Sequence, residues 1–208
     1  MSDLITKLVL FVVCPVSIVV GSMLLADYST RPVEGADVLQ DLKFLSFSQL
    51  PDELKSTQSP QPTLLLFCHP HCPCTMSTLR TLERLHPSFT VTPRLIIYTF
   101  CPGNQPENWI KSPLVKVAES LAGTQVVVDL DGEICRKFGV CTSGHALLYD
   151  KNGQLLFSGG ITPGRGHEGD SLGSKLLKQR VNGESQDMKT APVFGCLIID
   201  PENTRREL

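Results

Sequence analysis

The chain has 208 residues, a formal net charge of -2 and a hydrophobic content of 41%, which suits one packed domain with appendages and an ordinary core. A near-neutral charge without a basic run argues against nucleic acid or an acidic membrane surface as partner. Aromatic residues make up 6%, too few for an aromatic-lined sugar or base platform.

Residues 8–26 (LVLFVVCPVSIVVGSMLLA) form an uncharged run long enough to cross a bilayer. Lys7 precedes it and Asp27 follows. No small-x-small cleavage pattern stands where Met23-Leu24-Leu25 leads into Ala26, so an uncleaved single-pass signal-anchor is expected. Lys7 and the amino terminus give a weak charge bias that places the remainder on the extracytoplasmic, periplasmic side. Cys14 is read as a small lipid-facing hydrophobe. Beyond this membrane segment (1–26), residues 27–62 are expected to be a linker. Within it, 42–47 is expected as a short strand and 56–62 (STQSPQP) as a loop.

From residue 63 the pattern alternates between strands and helices. Residues 63–67 (TLLLF) read as a buried strand. Residues 75–86 read as a helix whose Met76, Leu79, Leu82 and Leu85 form one apolar stripe. A strand at 94–100 follows, then a helix at 109–122 with Leu114, Val117, Ala118 and Leu121 facing inward. A strand at 125–130, a turn at Asp131-Gly132 and a short helix at 133–138 come next. Strands at 146–149 and 155–157 flank Asp150-Lys151-Asn152-Gly153, a hairpin signal. Residues 172–181 are expected to be the last helix. The order β-α-β-α-β-α-β-β-α predicts an α/β domain over 63–181, a central mixed sheet with helices on both faces. Residues 182–208 are expected as a tail with an apolar patch at 192–199.

The chemistry concentrates in Cys68-His69-Pro70-His71-Cys72-Pro73-Cys74, between the first buried strand and the amphipathic helix. Pro73 fits the first helical position, where its missing N–H costs nothing, and Cys72 becomes the N-cap. There its sulfur faces unpaired N–H groups and the positive end of the helix dipole, both favouring the thiolate. The thiolate is the nucleophile of disulfide exchange. Cys74 is near enough to close a ring with it. One intervening residue makes that ring small and strained, hence easily reduced. His71, if protonated beside Cys72, would stabilise the thiolate further; His69 is a second supporting imidazole.

Metal binding is the alternative. Cys68, His69, His71, Cys72 and Cys74 offer three sulfurs and two imidazoles within seven residues, soft donors suited to copper(I) or zinc. No second ligand pair is evident, so no cofactor is expected. Of the other cysteines, Cys68 is expected to pack beneath the site, with a redox role as alternative. Cys135 and Cys141 are expected as separate buried thiols rather than a bond, and Cys101 as structural. Cys196 is expected in a tail strand covering a sheet edge, with a resolving role for Cys72 as alternative. The glycine-rich stretch 159–173 (GGITPGRGHEGDSLG) is a poor match to a phosphate loop. It reads as a surface loop shaping a groove.

With these residues in view, the chain resembles the thioredoxin-like superfamily, and within it the membrane-anchored TlpA-type, RedB-like proteins. The matching segments are LLLFCHPHCPC (64–74), VVVDLDGEICRKFGV (126–140) and LLYDKNGQLLFSG (147–159). The resemblance implies a thioredoxin fold and oxidoreductase work on protein thiols and disulfides outside the cytoplasm, with Cys72 in the attacking position. The family usually has two residues between its cysteines, where this chain has only Pro73. It also usually has a cis-proline at the place of Ser143-Gly144-His145. Gly144 would permit close approach of a partner chain there, and His145 is expected to face the site. A non-catalytic interaction module on the same fold is a third class.

Overall fold

The computed structural model describes residues 2–33, 61–105, 107–184 and 187–200 and divides into two compact units, Met1–Arg31 and Pro32–Leu208. The strand expected at 42–47 lies outside the described residues.

The first unit is helical from Ser2 to Thr30. α1 (Ser2–Leu8) runs through a π-helical turn (Val9–Val13) into α2 (Cys14–Thr30). Pro15 stands at the start of α2. It lacks an N–H and crowds the carbonyl four residues back, and the wider π turn before it relieves both. The most apolar 18 residues within Thr6–Thr30 have a mean hydropathy of 2.7, and none of them is buried. By length and composition it can cross a membrane. The helix continues past Ala26, where the Ser29 and Thr30 hydroxyls donate to the Ala26 carbonyl.

The second unit is built on a six-stranded sheet: β1 (Thr63–Cys68), β2 (Arg94–Cys101), β3 (Thr124–Leu130), β4 (His145–Tyr149), β5 (Leu155–Gly159) and β6 (Thr190–Ala191). Their order is β3-β2-β1-β4-β5-β6. β1 pairs in parallel with β2, and β2 with β3; β1–β4 and β4–β5 are antiparallel; β6 joins β5 in parallel. β1 lies at the centre with strands on both edges and apolar layers on both faces. Its near-unbroken apolar sequence follows from that double burial.

One face of the sheet carries Leu64, Leu66, Ile97, Ala146, Leu148 and Phe157 under three helices: α3 (Pro73–Leu85), α4 (Pro113–Ser120) and α6 (Leu172–Val181). Leu79 and Leu82 of the expected stripe are buried there. The other face carries Leu65, Phe67, Ile96, Tyr98, Leu147 and Tyr149 under α5 (Glu133–Lys137), through Cys135 and the following Phe138. The mixed α/β sheet with helices on both faces is the architecture expected.

One element differs from expectation. The helix expected over 109–122 is split into a 3₁₀ turn (Glu107–Ile110) and α4. Pro113 forces the break, because it disfavours helical backbone at Ser112 and removes an N–H. Ser112 instead becomes the N-cap, its hydroxyl accepting from the Val115 N–H at 3.2 Å. At the start of α5, the buried carboxylate of Asp129 takes the N–H groups of Ile134 and Cys135 at 2.8 and 3.0 Å, satisfying two of its open donors.

The tail both covers the sheet edge and goes further. After β6 it packs backbone to backbone on what lies beneath. A Cβ added to Gly160 would stand 2.7 Å from the Pro192 carbonyl oxygen, and one on Gly173 would stand 1.8 Å from that of Gly160. Only glycine permits either approach.

Candidate active site

The junction between β1 and α3 forms as its sequence dictates. Cys72 is the N-cap in extended backbone (φ -89°, ψ 118°), with Pro73 in the first turn. The Cys72 N–H donates to the His69 carbonyl at 3.1 Å, closing the turn. Cys72 is 2% exposed and Cys74 7%.

A third sulfur joins them from the far end of the chain. The Sγ atoms of Cys72, Cys74 and Cys196 all lie within 4.8 Å of one another, and Cys72 and Cys196 are 2.8 Å apart. That is closer than van der Waals contact and longer than the roughly 2.05 Å of a disulfide; no disulfide joins any two cysteines in this structure. Cys196 is held there by backbone. The Ser143 N–H donates to the Cys196 carbonyl at 2.9 Å, and the Ile198 N–H to the Cys141 carbonyl at 2.7 Å. Thr142 and Leu197 form an antiparallel bridge. Arg165 Nη1 donates to the Gly195 carbonyl. A Cβ on Gly195 would lie 1.9 Å from the Ser143 carbonyl oxygen, so the tail fits only because residue 195 has no side chain.

The three thiols differ electrostatically. Burial pushes the Cys72 thiol up, but donors outweigh it: the thiol and N–H of Cys196, then the N–H and hydroxyl of Thr75. The net result lies below the ordinary 9.0. Cys196 is pushed up to about 12 by burial and by its hydrogen bond to Cys72. Cys74 is raised by burial and by the neighbouring Cys72 charge, while the Gly166 N–H and Arg165 oppose the rise. Of the pair, Cys72 is thus the thiol that loses its proton first and Cys196 the one that keeps it longer. The donors at Cys72 come from Cys196 and Thr75, in addition to the helix-tip position read from the sequence.

Ser143 ties the site together. Its hydroxyl accepts from the His69 N–H at 2.8 Å and shares a short hydrogen bond with the Thr75 hydroxyl. Gly144 (φ +87°) presses on α3, where a Cβ would meet Thr78 Oγ1 at 2.9 Å; its N–H donates to the Phe67 carbonyl at 2.7 Å. The loop at 142–144 thus lies against the start of α3. The stretch after β5 is ordered over the same region. It is pinned to α3 by Arg80–Glu168 and Arg84–Asp170 ion pairs at 3.0 and 2.9 Å, and it brings Arg165 and Gly166 to the sulfurs.

Several expectations are corrected. His145 does not face the site. Strand alternation groups it with Leu147 and Tyr149, on the face opposite α3. It is buried there with Nε2 2.9 Å from Ser158 Oγ, and burial lowers its pKa to about 4. Cys68 packs in the core layer under α3, the leading expectation for it; burial pushes its thiol far up, and it stands outside the cluster of converging sulfurs. The five-donor metal set is not assembled either. Among the described residues, the sulfurs that converge are Cys72, Cys74 and Cys196. His69 and His71 turn instead to an aromatic cluster. His69 stacks on Phe100 at 5.8 Å, and the His71 ring centre is 4.6 Å from that of Trp109. Burial, then the neighbouring His71, lowers His69. Thr75, Trp109 and the linking role of Ser143 were not read from the sequence, since no local spacing marks them.

No protein-family model matches the sequence, nor does any curated protein. Solved structures do. An uncharacterised conserved protein from Geobacillus kaustophilus superposes with a TM-score of 0.53 at 19% identity, over 70% of this chain and 80% of that one. The hypothetical protein SMc02350 from Sinorhizobium meliloti 1021 gives 0.53 at 15%, over 68% and 80%. A looser overlap, 0.40 at 14% identity over 67% and 93%, is with a secreted Mycobacterium tuberculosis disulfide oxidoreductase. The first two superpositions show the fold alone, and the described residues from 61 onward supply it as a mixed sheet with helices on both faces.

Proposed function

We propose that the protein is a membrane-tethered thiol–disulfide oxidoreductase acting on exported protein thiols and disulfides through Cys72. The observation that carries this reading is a helix-capping cysteine with a lowered pKa and two further thiols in bonding reach. The Cys72 thiolate attacks one sulfur of a partner disulfide. That S–S bond breaks, the other partner sulfur leaves as thiolate, and a Cys72–partner mixed disulfide forms. A second thiol of this chain then loses its proton and attacks Cys72 Sγ, closing an internal disulfide and releasing the partner as a thiolate. The partner gains two electrons and the protein dithiol loses them; run in reverse, the same steps oxidise a partner dithiol. The apolar helix Thr6–Thr30 supports an anchor, and the positive charge of Lys7 before it favours the extracytoplasmic side for the residues that follow.

Because both Cys74 and Cys196 stand near Cys72, the trapping variant is the double one. Cys74→Ser with Cys196→Ser, expressed in cells, is expected to accumulate a mixed disulfide with its partner, seen as a reductant-sensitive band on gels. Cys72→Ser is expected to accumulate none. A mixed disulfide that persists in Cys72→Ser sinks the assignment.

The three converging sulfurs also favour a second reading, a copper(I) site. Three soft thiolates suit copper(I), whereas zinc takes four ligands. Stoichiometric copper in the reduced, purified chain would rank this reading first.

A further inference from the structure

Cys72 is the thiol that the site activates, yet it is 2% exposed, and the group against its sulfur is Cys196 at 2.8 Å. The segment bearing Cys196 is non-helical chain that pairs at Leu197. It is held by main-chain hydrogen bonds at Cys141 and Ser143 and by the antiparallel bridge at Thr142. Main-chain pairing of this kind is how an extended peptide from another protein adds to an exposed backbone edge. It accepts any sequence whose side chains fit. Here the fit is restrictive at one position, the residue before the cysteine, where a Cβ would strike the Ser143 carbonyl oxygen. Arg165 reads the carbonyl of that same residue.

We infer that residues 193–198 occupy the place of an extended, cysteine-bearing segment of a partner protein, one with glycine before its cysteine, and that Cys196 is the sulfur that closes on Cys72. The inference deepens the redox reading and rests on it. Cys196 is better placed than Cys74 to resolve. A Cys72–Cys74 bond closes a strained ring across one residue, whereas Cys196 already stands 2.8 Å from Cys72 from a distant part of the chain. In the closing step the Cys196 thiol gives its proton to solvent. Its sulfur attacks Cys72 Sγ of the mixed disulfide, the Cys72–partner bond breaks, and the partner leaves as thiolate. A new partner must displace the tail before it meets Cys72, so the tail competes with substrate at the high effective concentration of a tethered group.

The test uses the full chain in detergent, reduced and then equilibrated with oxidised glutathione, followed by alkylation, digestion and mass spectrometry. A peptide joining Cys72 to Cys196, with Cys74 recovered alkylated, is the expected result. A Cys72–Cys74 link with Cys196 alkylated overturns the inference and leaves the redox reading standing. Cys72 outside every disulfide overturns both. A second measurement addresses the groove. In Gly195→Ala the tail is expected to leave its place, and attack of the reduced Cys72 thiolate on the disulfide-linked dimer of a Gly-Cys peptide, which forms the Cys72–peptide mixed disulfide and releases the second peptide as thiolate, should quicken by about tenfold as the tethered competitor is lost. Equal rates in the two proteins overturn the claim that the tail holds a partner's place. The disulfide map of the unaltered chain stands independently of how well the variant folds.

Discussion

At the scale of single residues, the site turns on where one proton resides. Cys72 and Cys196 face each other, and their pKa values are driven apart, downward for Cys72 and upward for Cys196. A lowered pKa means that the Cys72 thiolate forms as pH rises through a value below the ordinary 9.0, so its alkylation rate climbs early. Cys196→Ala removes the thiol donor. The pH profile of iodoacetamide labelling at Cys72, followed by mass spectrometry, is then expected to move to higher pH. An unmoved profile would mean that Thr75 and the helix tip suffice. The capping position of Cys72 can be read from Pro73 alone. Ser143 cannot, because its partners His69 and Thr75 are 74 and 68 residues away and nothing in the intervening sequence encodes that distance. His145 was misplaced for a related reason. A resemblance assigned it to a loop, whereas pairing with Phe67 already makes it the first residue of β4.

At the scale of elements, periodicity was informative wherever a face is buried. The stripe on α3 identified Leu79 and Leu82, which hold the Cys72-bearing helix on the sheet. Leu79→Ala is expected to cost about 2–5 kcal/mol in chemical denaturation, the range for a fully buried leucine. A cost near zero would show that α3 is not anchored there. Proline overrode periodicity in the stretch around Pro113, where an apolar pattern running to Leu121 concealed a break at Ser112. β6 is beyond pattern reading. At two residues it is too short for alternation, and it pairs because backbone against backbone at Gly159 and Gly160 leaves room for it.

At the scale of the whole molecule, the alternation of apolar strands and amphipathic helices specified the layered sheet, and composition alone specified the apolar helix before it. The return of the tail to the first cysteine pair is a contact across 124 residues, decided by shape rather than by local preference. The division into two units carries its own expectation. A chain beginning at Pro32 should unfold cooperatively in aqueous buffer with the same denaturant midpoint as the full chain, while the full chain stays with the membrane pellet through a carbonate wash. Aggregation of the shortened chain, or release of the full one, would contradict that division.

The glycine contacts have a mechanical consequence. From Pro192 to Gly160 to Gly173, three stretches of main chain lie against each other with only the Ala191 methyl beside them. A rotamer change absorbs small shifts in an ordinary core, and here none is available. Lifting the tail off Cys72 therefore unloads the first turn of α6, and a fluorophore placed there would register from a distance whether the sulfurs are joined.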